Sequence, residues 1–187
     1  MRWNAMTLHH LSDEMAKSSN PDFPCPPEIT AQLKVLVLPY WDFQGREHLG
    51  QLVVNKAIAE DAKYVFLGLF DGRFPIASMV PIVAFAWDDD RSMAANNTSG
   101  FNYRYIKGTK KLSDHARGLA IDINPLLNPC ISKNGVEPKG AWYAPWLPGT
   151  ITPDSEIVRL FREHEFLWGG DWDEPLDLHH FYMPANT

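Results

Sequence analysis

The spacing of apolar and polar positions changes character at Leu33. From Lys34 to Tyr40, β-branched residues alternate with leucine, which predicts a strand. Between Val53 and Phe70, the residues Val54, Ala57, Ile58, Ala62, Val65, Phe66 and Leu69 recur at helical spacing, and Asp71-Gly72 supplies a stop; this predicts a helix. Pro81 to Trp87 reads as a short buried strand, followed by a polar turn at Asp88-Asp89-Asp90-Arg91. Asn96 to Gly100 carries a loop signal, and Phe101 to Ile106 reads as another strand. Gly118 to Asn124 is a clear strand. Leu119, Ile121 and Ile123 point to one face, and Ala120, Asp122 and Asn124 to the other. Residues 125–149 read as a long loop holding Trp142, Tyr143 and Trp146. Asp154 to Phe166 predicts a second helix with Ile157, Leu160, Phe161 and His164 on one face, and Thr152 or Asp154 as its N-cap. Leu178 to Met183 reads as the last strand.

Residues 1–33 differ from all of this. Ser18 to Pro27 is polar and proline-rich, which removes donors and biases the backbone to extended structure. The expectation is an arm over 1–33, with a short helix near Leu8 to Ala16, and a single folded domain over 34–187. Strands and helices do not alternate regularly, so an α+β domain is expected rather than a parallel βαβ sheet.

Composition narrows the function classes. A length of 187 residues suits one domain, and 45% hydrophobic residues suffice for a core. The net charge of −6 argues against a nucleic-acid binder, which would present a basic face. No apolar run reaches the roughly 18 residues that a membrane span needs. Met1 to Leu11 lacks a basic stretch followed by an apolar one, so no secretory signal is expected in this chain. Cys25 and Cys130 permit one disulfide without demanding it, and two cysteines alone make no thiolate zinc site.

Two segments concentrate reactive side chains. One is Ser113-Asp114-His115-Ala116-Arg117-Gly118-Leu119-Ala120-Ile121-Asp122. The other is Trp168-Gly169-Gly170-Asp171-Trp172, followed by Asp177-Leu178-His179-His180-Phe181. Catalytic zinc takes three imidazole or carboxylate ligands and keeps a position open, and His115, Asp122 and His180 supply such a set. His115 and Asp122 are seven apart, so an unbroken strand would put them on opposite faces; Gly118 can bend the chain between them. Asp177, three residues before His180, sits where a carboxylate could serve as the base without being a ligand. From the residues alone, a metal site and ordinary structural histidines both remain open. Asp122 between two isoleucines weighs towards the metal, because an unpaired carboxylate is costly to bury.

The elements Ser113-x-His115-x-x-Gly118-x-Ala120-x-Asp122 and Asp177-x-x-His180-Phe181 resemble the M15 metallopeptidase family. That family contains zinc D-Ala-D-Ala carboxypeptidases, dipeptidases linked to vancomycin resistance and L-alanyl-D-glutamate endopeptidases. The resemblance extends upstream through Asn96 to Arg104 and covers roughly Leu33 to Met183. It implies an α+β domain whose central antiparallel sheet carries one zinc ion on His115, Asp122 and His180, with Asp177 as the catalytic acid-base. It also implies an upstream arginine that steadies the oxyanion. Arg91 is the first choice and Arg104 the second, and either could instead pair with the acids at 88–90. Arg104, Ser113 and Trp172 are candidates for substrate contact, with Trp142, Tyr143 and Trp146 as further cleft walls. His179 is expected to face away from the metal and to play a supporting role. Arg117, Leu119 and Tyr182 depart from residue types common in relatives, which bears on substrate preference.

The implied substrate is the stem peptide of peptidoglycan. Trp168 to Trp172 leans towards the L-Ala-D-Glu endopeptidases, with D-Ala-D-Ala carboxypeptidase as the alternative. A non-catalytic zinc-containing wall-binding module is the rival from another class, and the presence of Asp177 weighs against it. The implied setting is extracytoplasmic, and the implied state a monomer.

Overall fold

The computed structural model describes residues 10–184. Its scaffold is a long hairpin of β1 (Leu33–Trp41) and β2 (Glu47–Asn55), in register from Leu33 opposite Asn55 to Trp41 opposite Glu47. Asp42 closes the turn. Its carboxylate accepts hydrogen bonds from the Gln44 and Arg46 amides, both at 2.9 Å, and from Arg46 Nε at 2.7 Å.

Residues 53–55 were expected to open a helix, but they end β2, and the helix α3 runs over Ala59–Asp71. The reason lies in burial. Gly50 to Val54 are buried at every position, so the run carries no alternation and its valines satisfy either period. Asn55 then breaks the chain: its side-chain oxygen accepts from Ala57 N–H at 3.0 Å, a local turn that competes with helix. The buried face of α3, with Ala62, Val65, Phe66 and Leu69, packs on the hairpin.

Two other expected strands are absent. Ile82–Phe85 forms a 3-10 turn ended by Ala86 and Trp87 at positive φ. It leads into α4 (Asp89–Ala94), capped by the Asp88 side chain on Arg91 N–H. Phe101 to Ile106 joins no ladder beyond a bridge from Tyr105 to Leu112. Its amides are used elsewhere, with Phe101 N–H on Val53 O at 2.7 Å and Asn102 N–H on His115 O at 3.0 Å.

The remaining strands are antiparallel and short, and they divide between two further sheets rather than building one central sheet. The first is ordered β3 (Ala120–Asp122), β8 (His180–Tyr182), β6 (Leu167–Trp168). The second is ordered β5 (Gly135–Glu137), β4 (Cys130–Ser132), β7 (Leu176–Asp177). The segment 125–149, expected as loop, therefore contains a β4–β5 hairpin. The last helix, α5 (Glu156–Glu163), is shorter than expected. Its N-cap position is Ser155, not Thr152 or Asp154, and the Ser155 hydroxyl turns back to donate to Thr152 O at 2.6 Å. Glu165 at φ 62° reverses the chain so that Phe166 re-enters the core.

One main core joins these layers. Phe161 of α5 lies flat on Phe181 of β8 at 3.9 Å between ring centroids, and Trp168, paired with Phe181 in the ladder, lies near-parallel to it at 6.2 Å. Burying each such ring stabilises by roughly 2–3 kcal/mol. Phe181 thus anchors the strand that carries His180. The chain is an α+β domain, as expected, with its candidate chemistry on the β3–β8–β6 sheet and at the edge of its neighbour.

The N-terminal segment is laid against the hairpin. Of the helix expected from Leu8, Leu8 and His9 lie outside the described residues. Within the described residues α1 spans Asp13–Ala16 and α2 spans Pro27–Thr30. Gln51 grips Leu11 through a pair of hydrogen bonds at 2.7 and 2.9 Å. Ala16, Leu33, Val53 and Phe101 form a second small core, and Phe23 stacks on Tyr103. Cys25 and Cys130 are both free thiols.

Candidate metal centre

His115 sits in a 3-10 turn, Asp114–Arg117, capped by Ser113, whose hydroxyl accepts from His115 N–H at 3.3 Å. Ser113 is thereby occupied in shaping the turn. Gly118 follows at φ +67°, a conformation that suits glycine. A Cβ there would also stand 2.7 Å from Asn55 N, whose N–H donates to Gly118 O. The turn and the glycine together swing the chain from His115 into β3. Asp122 then lies directly opposite His180 in the β3–β8 ladder. Leu119, Ile121 and Ile123 supply the apolar side, with the two isoleucines fully buried.

The result is a convergence of three buried side chains. His115 Nε2 is 3.1 Å from Asp122 Oδ2 and 3.3 Å from His180 Nδ1, and His180 Nδ1 is 3.0 Å from Asp122 Oδ1. His115 Nδ1 lies 2.6 Å from Gly100 O, a contact that fixes Nδ1 as the protonated nitrogen and leaves Nε2 as a lone pair. So His115 Nε2 faces His180 Nδ1 and the Asp122 carboxylate, a set of atoms that a cation could bridge. Two zinc bonds of about 2.0–2.1 Å at a tetrahedral angle hold their donors about 3.3 Å apart. The spacings here are of that order, each imidazole meeting a different Asp122 oxygen, and the set, with one ligand atom from each residue within 4.8 Å of the others, is one that could hold a metal ion.

Charge bears on each member. Burial alone would keep His115 neutral, but the Asp122 carboxylate outweighs it and raises the ring's pKa. Burial would likewise raise Asp122, yet the neighbouring imidazoles of His115 and His179 hold it well below the usual carboxylate range.

Asp177 comes from the other sheet and stands beside this group. Its Oδ1 is buried and accepts no hydrogen bond, although His179 Nε2 is 3.0 Å away outside a bonding direction. The contact is an ion pair without the direction of a full hydrogen bond, so the oxygen keeps acceptor capacity that a substrate or water could fill. His179, expected to face away, is turned inward. Its Nε2 looks towards Asp177 and, at 3.9 Å, Asp122, while Nδ1 contacts Asn128 O at 2.6 Å. Burial disfavours a charge on His179, but the two carboxylates prevail and raise its pKa.

The Trp168 to Trp172 segment backs Asp177. A Cβ on Gly169 would stand 2.6 Å from Asp177 O and 2.9 Å from its Cβ. Trp172 lies half-buried with its ring 5.5 Å from His180, and its Nε1–H donates to Tyr182 Oη at 3.3 Å.

The two arginine candidates are placed very differently. Arg104 is mostly buried, its charge bears on His115, and its guanidinium meets Asp89 Oδ2 at 2.8 Å. Asn102 holds the other oxygen of Asp89 at 3.0 Å. Arg104 Nε is buried without a partner. Arg91 is exposed on α4 and makes no ion pair among the described residues. Trp142 and Trp146 are exposed, at 62% and 77%, on the loop before α5, while Tyr143 is tied down by its hydroxyl to Ile151 O.

Several contributors escaped sequence reading. The Gly100 and Asn128 carbonyls act through tertiary contacts that no local motif announces, whereas the pairing of Arg104 with Asp89 is the alternative expected for it. Gly169 lay within a quoted motif, but its close approach to Asp177 depends on how two distant segments pack.

Residues 107–183, less than half of the chain, match the family model described as D-alanyl-D-alanine carboxypeptidase, within the M15 peptidases. The segment holds His115, Asp122, Asp177 and His180; Arg91 and Arg104 lie upstream of it, as does the Asn96 to Arg104 part of the resemblance. No curated protein and no solved structure matches the chain.

Proposed function

We propose, from the premise that residues 107–183 carry the signature of an M15 peptidase, that this chain is a zinc-dependent hydrolase of peptidoglycan stem peptides. The observation that carries the reading is the convergence of His115 Nε2, His180 Nδ1 and the two Asp122 oxygens, with contacts of 3.0–3.3 Å, and beside them the buried Asp177 carboxylate, 3.0 Å from His179 Nε2.

His115, Asp122 and His180 would hold one zinc ion. Zinc there would supply Lewis acidity to the scissile carbonyl and to the attacking water. Asp177 takes the water's proton on its carboxylate and returns it to the leaving amine, a role typically worth 10²- to 10⁴-fold. Arg104, oriented by Asp89, places positive charge where the carbonyl oxygen becomes negative. His179, hydrogen-bonded to Asn128 O, holds its ring against Asp177 and limits that carboxylate's travel. Trp172 and Tyr182 border the entrance beside His180 and orient the peptide.

Two specificities divide the reading. The Trp-Gly-Gly-Asp-Trp element favours cleavage between L-Ala and D-Glu, whereas the description of the matched family favours removal of a terminal D-Ala. Such a substrate implies work outside the cytoplasm, and the site needs only one copy of the chain. No helix among the described residues is long and apolar enough to cross a membrane.

Digestion of purified muropeptides by the zinc-loaded protein, with products weighed by mass spectrometry beside an Asp177→Ala control, tests this. A new peptide terminus absent from the control supports the peptidase, and its position assigns the bond. Intact muropeptides in the presence of stoichiometric zinc would reject it in favour of a binding module.

A further inference from the structure

The donors of the metal centre do not line the cavity of about 480 Å³ that lies between α4 and the β4–β5 hairpin. That cavity is connected to the site through the second sheet. Asp177, Cys130 and Glu137 stand opposite one another across β7, β4 and β5. Residues paired in this way point to the same face of a sheet. The Cys130 thiol between them feels both neighbours: burial first, then the charges of Asp177 and Glu137, push its pKa up to about 12. Glu137 in turn lines the cavity. Two strand spacings of about 4.8 Å put it roughly 10 Å from Asp177. An extended peptide advances about 3.3 Å per residue, so the cavity lies about three residues from the bond being cut.

Its charges are distinctive in a chain of net charge −6. Arg91, Lys107 and Lys139 line it, against two acids, Asp90 and Glu137. Lys107 spans the groove, with Nζ 3.0 Å from Glu137 and 3.5 Å from Asp90, and so engages both acids at once. Arg91 and Lys139 have no carboxylate partner among the described residues, and both are exposed to the groove. The α4 helix that presents Arg91 also presents Asp89, which orients Arg104.

We infer that this groove is a subsite for an acidic peptide segment, in which Arg91 and Lys139 receive a carboxylate of the substrate about three residues from the scissile bond. The inference rests on the peptidase reading for the identity of its ligand. It gives Arg91 a role in recognising the substrate's charge rather than in the chemical step, where Arg104 is the arginine whose charge bears on His115.

The test is binding by calorimetry to the zinc-loaded Asp177→Ala protein, which does not turn over. The probes are the stem pentapeptide L-Ala-D-Glu-L-Lys-D-Ala-D-Ala with free carboxylates and the same peptide with every carboxylate amidated. The free acid is expected to bind about tenfold more tightly, the ratio that about 1.4 kcal/mol supplies. Adding Arg91→Met and Lys139→Met should bring the two affinities together, with an unchanged melting temperature showing that the fold is intact. Equal affinities before those substitutions, or a preference that survives them, would overturn the inference. So would an equal fall in affinity for both peptides through Glu137→Gln alone, which would mean that the groove reads the ammonium groups the two share. Retained charge discrimination together with failure of the wild-type protein to cleave either peptide supports the subsite while removing the peptidase reading.

Discussion

Replacing Gly169 by alanine tests how the site is assembled. Gly169 is not in a left-handed conformation, so alanine adds no backbone strain and its effect is steric. The new methyl would meet Asp177 O at 2.6 Å, Asp177 Cβ at 2.9 Å and His180 Cβ at 3.3 Å. Ordinary carbon contacts begin near 3.5 Å, so β7 and the 3-10 turn Gly169–Asp171 must separate by somewhat under about 1 Å. The closest atom is backbone and cannot swing aside as a side chain would. Overpacking of this kind costs about 1–3 kcal/mol of stability. The larger effect falls on catalysis, because a displacement approaching 1 Å of a catalytic group can cost about 10²-fold in rate. The prediction is a fall in kcat of ten- to a hundredfold, with zinc content near stoichiometric and only a modest loss in melting temperature. Steady-state kinetics on a muropeptide, with metal analysis and thermal unfolding of the same samples, would measure it. Gly72→Ala is the control, since its added Cβ would meet nothing closer than Gly68 O at 3.3 Å, far from the site. A Gly169→Ala protein with wild-type kcat would refute the claim that this glycine sets the position of Asp177.

Two further outcomes follow from other parts of the structure. Removal of zinc by a chelator should lower the melting temperature, and added zinc should restore it. At free metal 100-fold above its dissociation constant the stabilisation is about 2.7 kcal/mol, or roughly 5–10 °C for a domain of this size; an unchanged melting curve would contradict metal binding at His115, Asp122 and His180. Asp42 should make stability depend on acid. Burial alone would raise its pKa, but the Arg46 and Gln44 amides, His48 Nε2 and the Arg46 side chain hold it well below the usual range. A depressed folded pKa contributes stability that is complete above the unfolded value of about 3.9 and is lost as pH falls through that value towards the folded one. Asp42→Asn should therefore flatten the acid limb of the denaturant-derived stability curve below about pH 5, and an identical limb in both proteins would refute the assignment.

Much of this protein is determined by local sequence. The Lys34 to Tyr40 alternation, the period of Ala62, Val65, Phe66 and Leu69, and the inward Leu119, Ile121 and Ile123 all specify their elements, because burial on one face leaves a period in the chain. Gly118 signalled the bend between His115 and Asp122, because few other residues accept a positive φ in so close a contact. Where burial is two-sided, as over Gly50 to Val54, or brief, as over Ile82 to Phe85, no period survives, and strand, helix and 3-10 turn cannot be told apart. Tertiary structure alone decided which groups surround the reactive ones. It brought the Gly100 carbonyl to His115, turned His179 inward, gave Asp89 to Arg104 and set Arg91 in a groove outside the metal centre. Each of these contacts joins residues whose pairing is set by the packing of separate sheets and helices, and such packing leaves no mark on the residues nearest to them in the chain.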